Sequence, residues 1–226
     1  TETPWEITGT IMPPVSEVPG QMGTAVVLQG NDLLVGAPST GRTGSVYHYR
    51  RSGGAWSLET TITPEGEVAG FGTALAWNAD DLLVGAPTAD DGRGRVYALS
   101  LLETGGWGEA GQIELIGTAN NENARAGTSI TLGNDHALVG APGTASVAVL
   151  RISDGDTWSH TETLDAPEGA DGSQFGFSLG LVGDELWVGA PGMHRRNGRV
   201  FRFTSSQDGS WASPERLDPD DTSGSS

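Results

Sequence analysis

The sequence predicts an all-β protein, and more specifically a β-propeller built from four-stranded antiparallel blades. An apolar run that ends in Gly-Ala-Pro occurs four times, and a short segment of alternating large and small residues precedes each run. Alternation with period two, interrupted by Gly, Asn and Asp, indicates antiparallel strands. Four strands in each of several successive repeats are typical of propeller blades. The four apolar runs are Leu33–Pro38, Leu82–Pro87, Ala137–Pro142 and Leu186–Pro191.

The first two strands of each predicted blade form a hairpin. A glycine stands thirteen residues before the glycine of each Gly-Ala-Pro and begins the first strand, and the apolar run is the second strand. The residues between them include Gly, Asn and Asp, which tolerate the positive φ angles of tight hairpin turns. Because both strands are apolar or small on both faces, neighbouring blades must cover each blade on two sides. The upstream glycines are Gly23, Gly72, Gly127 and Gly176.

Two further strands complete each predicted blade. The third begins after a variable loop, and the fourth carries a tryptophan with an aliphatic residue six positions later. This fixed phase favours packing between blades over a role of the tryptophans as sugar platforms. A similar pair, Trp5 and Ile11, stands alone near the N-terminus and predicts one extra outer strand. The third strands begin at Ser45, Arg95, Ser146 and Arg199, and the tryptophans of the fourth strands are Trp56, Trp107, Trp158 and Trp211.

The repeats divide the chain into predicted segments. Residues 1–12 are an outer strand of a preceding or shared blade, and residues 219–226 are a linker-like tail. The chain is then a piece of a larger propeller, a half-ring completed by another subunit, or a four-bladed ring with a spare strand. An open half-ring would expose an apolar blade face, so we expect a partner, covalent or not, to supply further blades. The four repeats are 20–64, 69–116, 125–165 and 173–218.

Composition excludes several function classes. The chain has 226 residues and a formal net charge of -17, with twelve Arg and no Lys. Such a charge disfavours nucleic acids and anionic membranes as partners. The absence of Cys excludes disulfides, thiolate nucleophiles and cysteine-based zinc sites. No apolar run reaches 18 residues, so we expect no membrane insertion.

The glycine motifs resemble the FG-GAP repeats of integrin α-subunits and bacterial surface proteins. Phe71-Gly72 and Phe175-Gly176 match the FG element, the four Gly-Ala-Pro triplets match the GAP element, and a G-x-V-[YF] pattern follows at Gly44, Gly94 and Gly198. In the third repeat Ala145 and Ala148 replace the glycine and the aromatic residue of that pattern. The resemblance implies an extracellular or cell-surface propeller used for adhesion or scaffolding, with the periplasm as another location.

Many FG-GAP propellers bind calcium between their first two strands, but here these connections are only three or four residues long. Calcium needs six or more oxygen ligands, usually from a loop of about a dozen residues. We therefore expect no calcium in these hairpins and no other cofactor. The four histidines occupy unlike repeat positions, and no motif of nucleophilic catalysis is present. These observations predict a protein that is not an enzyme and has no catalytic or metal-ligating residues.

Candidate binding residues lie in the loops that differ most between repeats. The Asp90-Asp91 pair beside Gly92 is interpreted as a loop cation site or as solvated turn residues. The only cluster of positive charge, residues 194–196, is interpreted as a site for an acidic partner or saccharide, or as a solvated loop. Strand polarity places these variable loops on one face of the predicted propeller, and the resemblance implies that ligands bind to that face. The candidates are Arg42, Asp90, Asp91, Arg93, His194, Arg195 and Arg196.

The predicted function is that of a non-enzymatic, exported binding or scaffold propeller that engages another macromolecule through loops or blade edges. One alternative is a structural subunit that self-assembles by blade or strand completion, and another is a carbohydrate-binding module. The expected partners are a protein or further blades from a larger chain or oligomer, with a glycan as a further candidate.

Overall fold

The structure is a computed structural model, and the residues that it describes form sixteen β-strands in four separate sheets. Each sheet has four strands, antiparallel and paired in chain order. The all-β class predicted from the sequence is confirmed. The described residues are 9–14, 20–39, 43–78, 81–103, 105–108, 111–113, 115, 122–133, 135–153, 157–167, 172–193, 197–206 and 209–217. The extra outer strand predicted within 1–12 and the tail 219–226 lie largely or wholly outside them.

The strands follow the repeats of the sequence. Sheet 1 contains β1 (Ala25–Gln29), β2 (Asp32–Ala37), β3 (Ser45–Ser52) and β4 (Ala55–Ile62). Sheet 2 contains β5 (Ala74–Trp77), β6 (Asp81–Ala86), β7 (Arg95–Ser100) and β8 (Gly111–Ile113), with a helical turn, α1 (Ala89–Gly92), before β7. Sheet 3 contains β9 (Ser129–Leu132), β10 (His136–Ala141), β11 (Ser146–Ser153) and β12 (Thr157–Asp165). Sheet 4 contains β13 (Ser178–Val182), β14 (Glu185–Ala190), β15 (Arg199–Thr204) and β16 (Glu215–Leu217). No helix in the described residues has the length and apolar character needed to cross a membrane.

The sheets stack face to face in chain order. The second strand of each sheet is the apolar run, and in sheet 2 its residues Leu82, Leu83 and Val84 are all fully buried. Successive side chains of a strand point to opposite faces, so this strand contributes Leu83 to one stack and its neighbours to the other. Leu82 and Val84 pack in the cluster that contains residues of sheet 1, whereas Leu83 packs in the cluster that contains residues of sheet 3. The first strands of successive sheets also contact each other.

Glycines set the distance between neighbouring sheets. A Cβ atom at Gly36 would lie 2.0 Å from the carbonyl oxygen of Gly72, and one at Gly140 would lie 1.9 Å from that of Gly176. No side chain fits at such distances, so the glycine of Gly-Ala-Pro allows the backbones of two sheets to approach. The upstream glycines have φ angles of +95° at Gly72 and +86° at Gly176, which favour glycine as well.

The tryptophans of the fourth strands pack against neighbouring residues of the core. Trp107 makes edge contacts with Trp77 and with His48 of the preceding sheet, and Trp158 is 5% exposed in the cluster between sheets 2 and 3. The predicted packing between sheets is confirmed for Trp107, Trp158 and Trp211, whereas Trp56 packs on residues of its own sheet. Their secondary structure differs from the prediction in sheets 2 and 4, where Trp107 and Trp211 form only isolated bridges ahead of β8 and β16.

In sheet 4 a proline limits the fourth strand, since Pro214 immediately precedes β16 and proline has no N–H to donate to a neighbouring strand. Gly209, with a φ of +82°, belongs to the turn before Trp211, as Gly54 belongs to the turn before Trp56 in sheet 1. Trp211 therefore keeps its place in the core without belonging to a continuous strand.

We predict that Gly140→Ala destabilises the protein by about 1–3 kcal/mol, because its methyl group would overlap the backbone of sheet 4. Gly180→Ala is the matched control, since the nearest atom to a Cβ there is Trp187 Cβ at 4.0 Å. Urea unfolding of the two variants and the unchanged chain measures the difference. Equal stability of both variants would show that the close glycine contact is not needed.

Candidate functional site

The variable loop of sheet 2 meets the segment that leads into sheet 3, and we call residues 88–95 and 122–126 the loop junction. Two backbone hydrogen bonds join its halves: Arg125 N donates to Gly92 O at 2.8 Å, and Ala126 N donates to Arg93 O at 3.0 Å. A parallel bridge between Gly94 and Ala126 adds to this contact. The loop junction therefore brings three of the chain's arginines and the carboxylates of Asp90, Asp91 and Glu122 onto two connected backbone segments.

The backbone of this loop is unusual. Asp90 and Asp91 have φ angles of +51° and +56°, in the left-handed region that residues other than glycine rarely adopt. Consecutive left-handed residues store local strain, and such strain occurs preferentially at functional sites. Only Asp90 is paired with a neighbouring side chain in the described residues.

Asp90 forms a two-point ion pair with Arg95. Its Oδ2 accepts from Arg95 Nε at 2.5 Å and its Oδ1 from Arg95 Nη2 at 2.7 Å. The hydrogen bond to Asp90, together with one to Tyr97, raises the pKa of Arg95 above its ordinary value. Asp90 is therefore occupied by a cationic side chain, which favours the interpretation of this aspartate as a turn residue over a cation ligand.

Three groups at the loop junction remain available for a ligand. Asp91 and Arg125 are exposed, and Arg93 is half-buried. The Nε atom of Arg93 is shielded from solvent and has no hydrogen-bond partner among the described residues. A guanidinium binds phosphate or carboxylate groups through two parallel hydrogen bonds, and a nearby carboxylate can accept a proton from water. The loop junction therefore contains groups of the kinds that anion binding and proton transfer require.

Three of the seven predicted binding residues, Asp90, Asp91 and Arg93, lie together in the loop junction. The others, Arg42, His194, Arg195 and Arg196, lie outside the described residues. Sequence reasoning did not single out Arg95 or Arg125. The signal for Arg95 is its position at the start of β7, five residues after Asp90. Across the part of the chain that the structure describes, no three His, Asp or Glu side chains form a metal-binding group.

A second polar cluster lies on the central strands of sheet 1, towards the strand ends away from the variable loop. His48 is 2% exposed, and its Nε2 lies 2.7 Å from Asp32 Oδ1, which also accepts from Arg50 Nε at 2.8 Å. Trp107 makes an edge contact with the imidazole, with ring centroids 6.3 Å apart. Burial raises the pKa of Asp32, but the hydrogen bonds from His48 and Arg50 outweigh it and leave that pKa below its ordinary value. A substrate cannot reach this histidine, so the cluster is structural.

Comparisons with known proteins identify the fold but no family. Neither a protein-family model nor a curated protein matches the chain, whereas solved structures do. A 6-phosphogluconolactonase-like protein from Bacteroides uniformis is 14% identical with a TM-score of 0.63, and the match covers 87% of this chain and 56% of that one. A protein from Lactobacillus plantarum gives 13%, 0.63, 88% and 57% for the same quantities. A second 6-phosphogluconolactonase-like protein, from Bacteroides fragilis, gives 11%, 0.50, 86% and 71%.

These findings correct the interpretation drawn from the sequence. The similar solved structures carry the name of 6-phosphogluconolactonases and not of FG-GAP proteins, so the resemblance to integrin-like adhesion proteins is wrong. The predicted non-enzymatic binding or scaffold function is contradicted too, because two of these neighbours carry the name of a hydrolase, and neither alternative is better supported. The physical reason is that the glycines of the motif serve sheet packing, which unrelated stacked sheets share.

We predict that Asp32→Asn lowers stability by about 1–3 kcal/mol near neutral pH, because it weakens the bonds that satisfy a buried histidine. The depressed pKa of Asp32 means that its ionised form stabilises the fold above the ordinary aspartate pKa of about 3.9, and that this contribution is lost as the pH falls below that value. Urea unfolding at several pH values should show the difference shrinking in acid. Asp184→Asn, at an exposed hairpin, is the control and should change little.

Proposed function

We propose that the chain is a four-blade section of a larger β-propeller hydrolase, in which each of the four sheets is one blade. Support comes from the single stacking direction of the sheets and from the consecutive contacts of their first strands, which would then lie nearest the propeller axis. The chain spans only 56% of the Bacteroides uniformis protein. If that protein consists of blades of equal size and four of them make up 56% of its length, its ring has about seven blades. Further blades are the partner that this proposal requires.

The reaction we propose is hydrolysis of a sugar lactone that carries an anionic group. The similar structures from Bacteroides bear the name 6-phosphogluconolactonase, and a substrate of that kind has a phosphate that guanidinium groups can bind. The main support for this reaction is the loop junction, where backbone hydrogen bonds join the segments that carry Arg93 and Arg125. Arginines that could bind an anion are few on this chain, whose net charge is -17. Outside the Asp90–Arg95 pair, the junction offers a ligand the guanidinium groups of Arg93 and Arg125, beside the carboxylates of Asp91 and Glu122.

The proposed chemistry uses residues of the loop junction alone. Arg93 and Arg125 bind the phosphate and orient the lactone. The Asp91 carboxylate takes a proton from a water molecule as the water oxygen adds to the carbonyl carbon. The ring carbon–oxygen bond then breaks, and the proton passes from Asp91 to the departing ring oxygen. The product is the open-chain hydroxy acid, and atoms and charge balance without any further reactant.

We expect Arg93→Ala to lower kcat/KM for 6-phosphogluconolactone by about tenfold to a hundredfold, because a hydrogen bond to a charged group contributes about 1.5–3 kcal/mol. Hydrolysis of unphosphorylated gluconolactone should change little. A pH-stat assay of acid release measures both reactions. Arg51→Ala is the matched control, since that arginine lies in sheet 1, over the ring of Trp56, and not in the loop junction.

Asp91→Asn should reduce kcat for both lactones, because it removes the proposed base and leaves the phosphate contacts in place. General bases typically contribute about 10²–10⁴ to a rate. The proposal fails if the unchanged protein hydrolyses neither lactone faster than the spontaneous reaction. It also fails if the Arg93 variant treats the phosphorylated lactone as the unchanged protein does.

A further inference from the structure

One face of sheet 4 is left uncovered in a position where the other sheets are covered. Val200 on β15 is 42% exposed, whereas the valines at the same repeat position in sheets 1–3 are fully buried. Trp187 on β14 is half-buried, whereas the equivalent leucines are fully buried. The open face is therefore the one that would contact a following sheet. The buried counterparts are Val46, Val96 and Val147, and Leu34, Leu83 and Leu138.

The three existing interfaces share one register. In each, the glycine of Gly-Ala-Pro faces the carbonyl oxygen of the upstream glycine of the next sheet, with a hypothetical Cβ only 1.9–2.1 Å from that oxygen. Between sheets 3 and 4 a side chain adds to this contact, because Ser129 Oγ donates to Gly176 O at 2.7 Å. The glycine pairs are Gly36 with Gly72, Gly85 with Gly127, and Gly140 with Gly176.

Sheet 4 repeats these features without a partner. Gly189 is the glycine of its Gly-Ala-Pro, yet a Cβ there would meet only Ser178 of the same sheet. Ser178 pairs with Gly189 as Ser129 pairs with Gly140, so its hydroxyl stands where Ser129 reaches the next sheet. Ser178 is exposed and its hydroxyl has no hydrogen-bond partner in the described residues. The backbone of sheet 4 is thus shaped for a contact that the four sheets do not supply.

We propose that the open face of sheet 4 docks a further sheet of the same repeat type, with Ser178 Oγ donating to the carbonyl oxygen of that sheet's upstream glycine. This inference rests on the proposed larger propeller and identifies the register of its next interface. The facing glycine has a positive φ, as Gly176 has at +86°. The new sheet covers Val200 and Trp187 as sheet 4 covers sheet 3.

Sheet 1 is not the occupant in this chain. Its Gly23 has a φ of +94° but no atom lies within 4 Å of a Cβ placed there, and Val26 and Leu28 beside it are 58% and 59% exposed. The two ends of the stack are therefore both open. We assign the occupant to additional repeats of the same polypeptide, because the chain spans only 56–57% of two structures with the same fold.

Hydroxyl-radical footprinting tests this proposal on the protein purified from its own cells, compared with residues 1–226 alone. We expect oxidation of Trp187 and Val200 to be several-fold slower in the native protein. Trp158, which is buried between sheets 2 and 3, should react slowly in both samples. Equal oxidation of Trp187 and Val200 in both samples overturns the proposal. Protection by a separate polypeptide, shown by denaturing mass analysis, overturns the assigned occupant.

Substitutions on the open face of sheet 4 test the proposed register of its contact with the next sheet. In the native protein, Gly189→Val and Ser178→Ala should restore oxidation of Trp187 and Val200 wholly or in part. Gly180→Thr should not, because sheet 3 already carries Thr131 at the equivalent position. Protection unchanged by Gly189→Val contradicts the glycine contact. These measurements do not depend on catalysis, so a protein without lactonase activity that still shows protection separates this interface from the proposed reaction.

Discussion

The close approach of two backbones at a pair of glycines is the constraint on which the rest of the structure depends. With a Cβ at Gly85 only 2.1 Å from Gly127 O, any side chain there would separate sheets 2 and 3. Their shared core would then lose contacts, since dispersion attraction weakens steeply with small gaps. The loop junction depends on the same approach, because Arg125 N reaches Gly92 O only when the two sheets are close. Packing and site geometry therefore share one cause.

Much of the fold could be predicted from the sequence because its determinants are local and repeated. Alternation identifies strands, turn residues identify hairpins, and the recurring Gly-Ala-Pro identifies the second strand of each sheet. The tryptophan phase predicted packing between sheets correctly for Trp107, Trp158 and Trp211. It did not predict that β8 and β16 begin after their tryptophans, because the phase fixes the position of a side chain in the core and not the extent of backbone pairing around it.

The candidate site was only partly predictable. Asp90, Asp91 and Arg93 were identified because they lie in a variable loop, but the pairing of Asp90 with Arg95 depends on two left-handed residues that no sequence pattern announces. Arg125 joins the site through a contact between different repeats. The family and the function were misjudged for a related reason: glycines that packing requires were interpreted as the mark of a family.

The common register of the three interfaces also bears on how such a chain grows. A repeat that presents a glycine carbonyl on one side and a glycine Cα on the other fits between any two of its own kind. Duplication of the corresponding gene segment would therefore add a unit that is accepted at both junctions without compensating substitutions. Sequence between the junctions is then free to diverge, as the loop of sheet 2 has done relative to the short turn of sheet 3. The number of stacked sheets and the chemistry of the loops then change independently of each other.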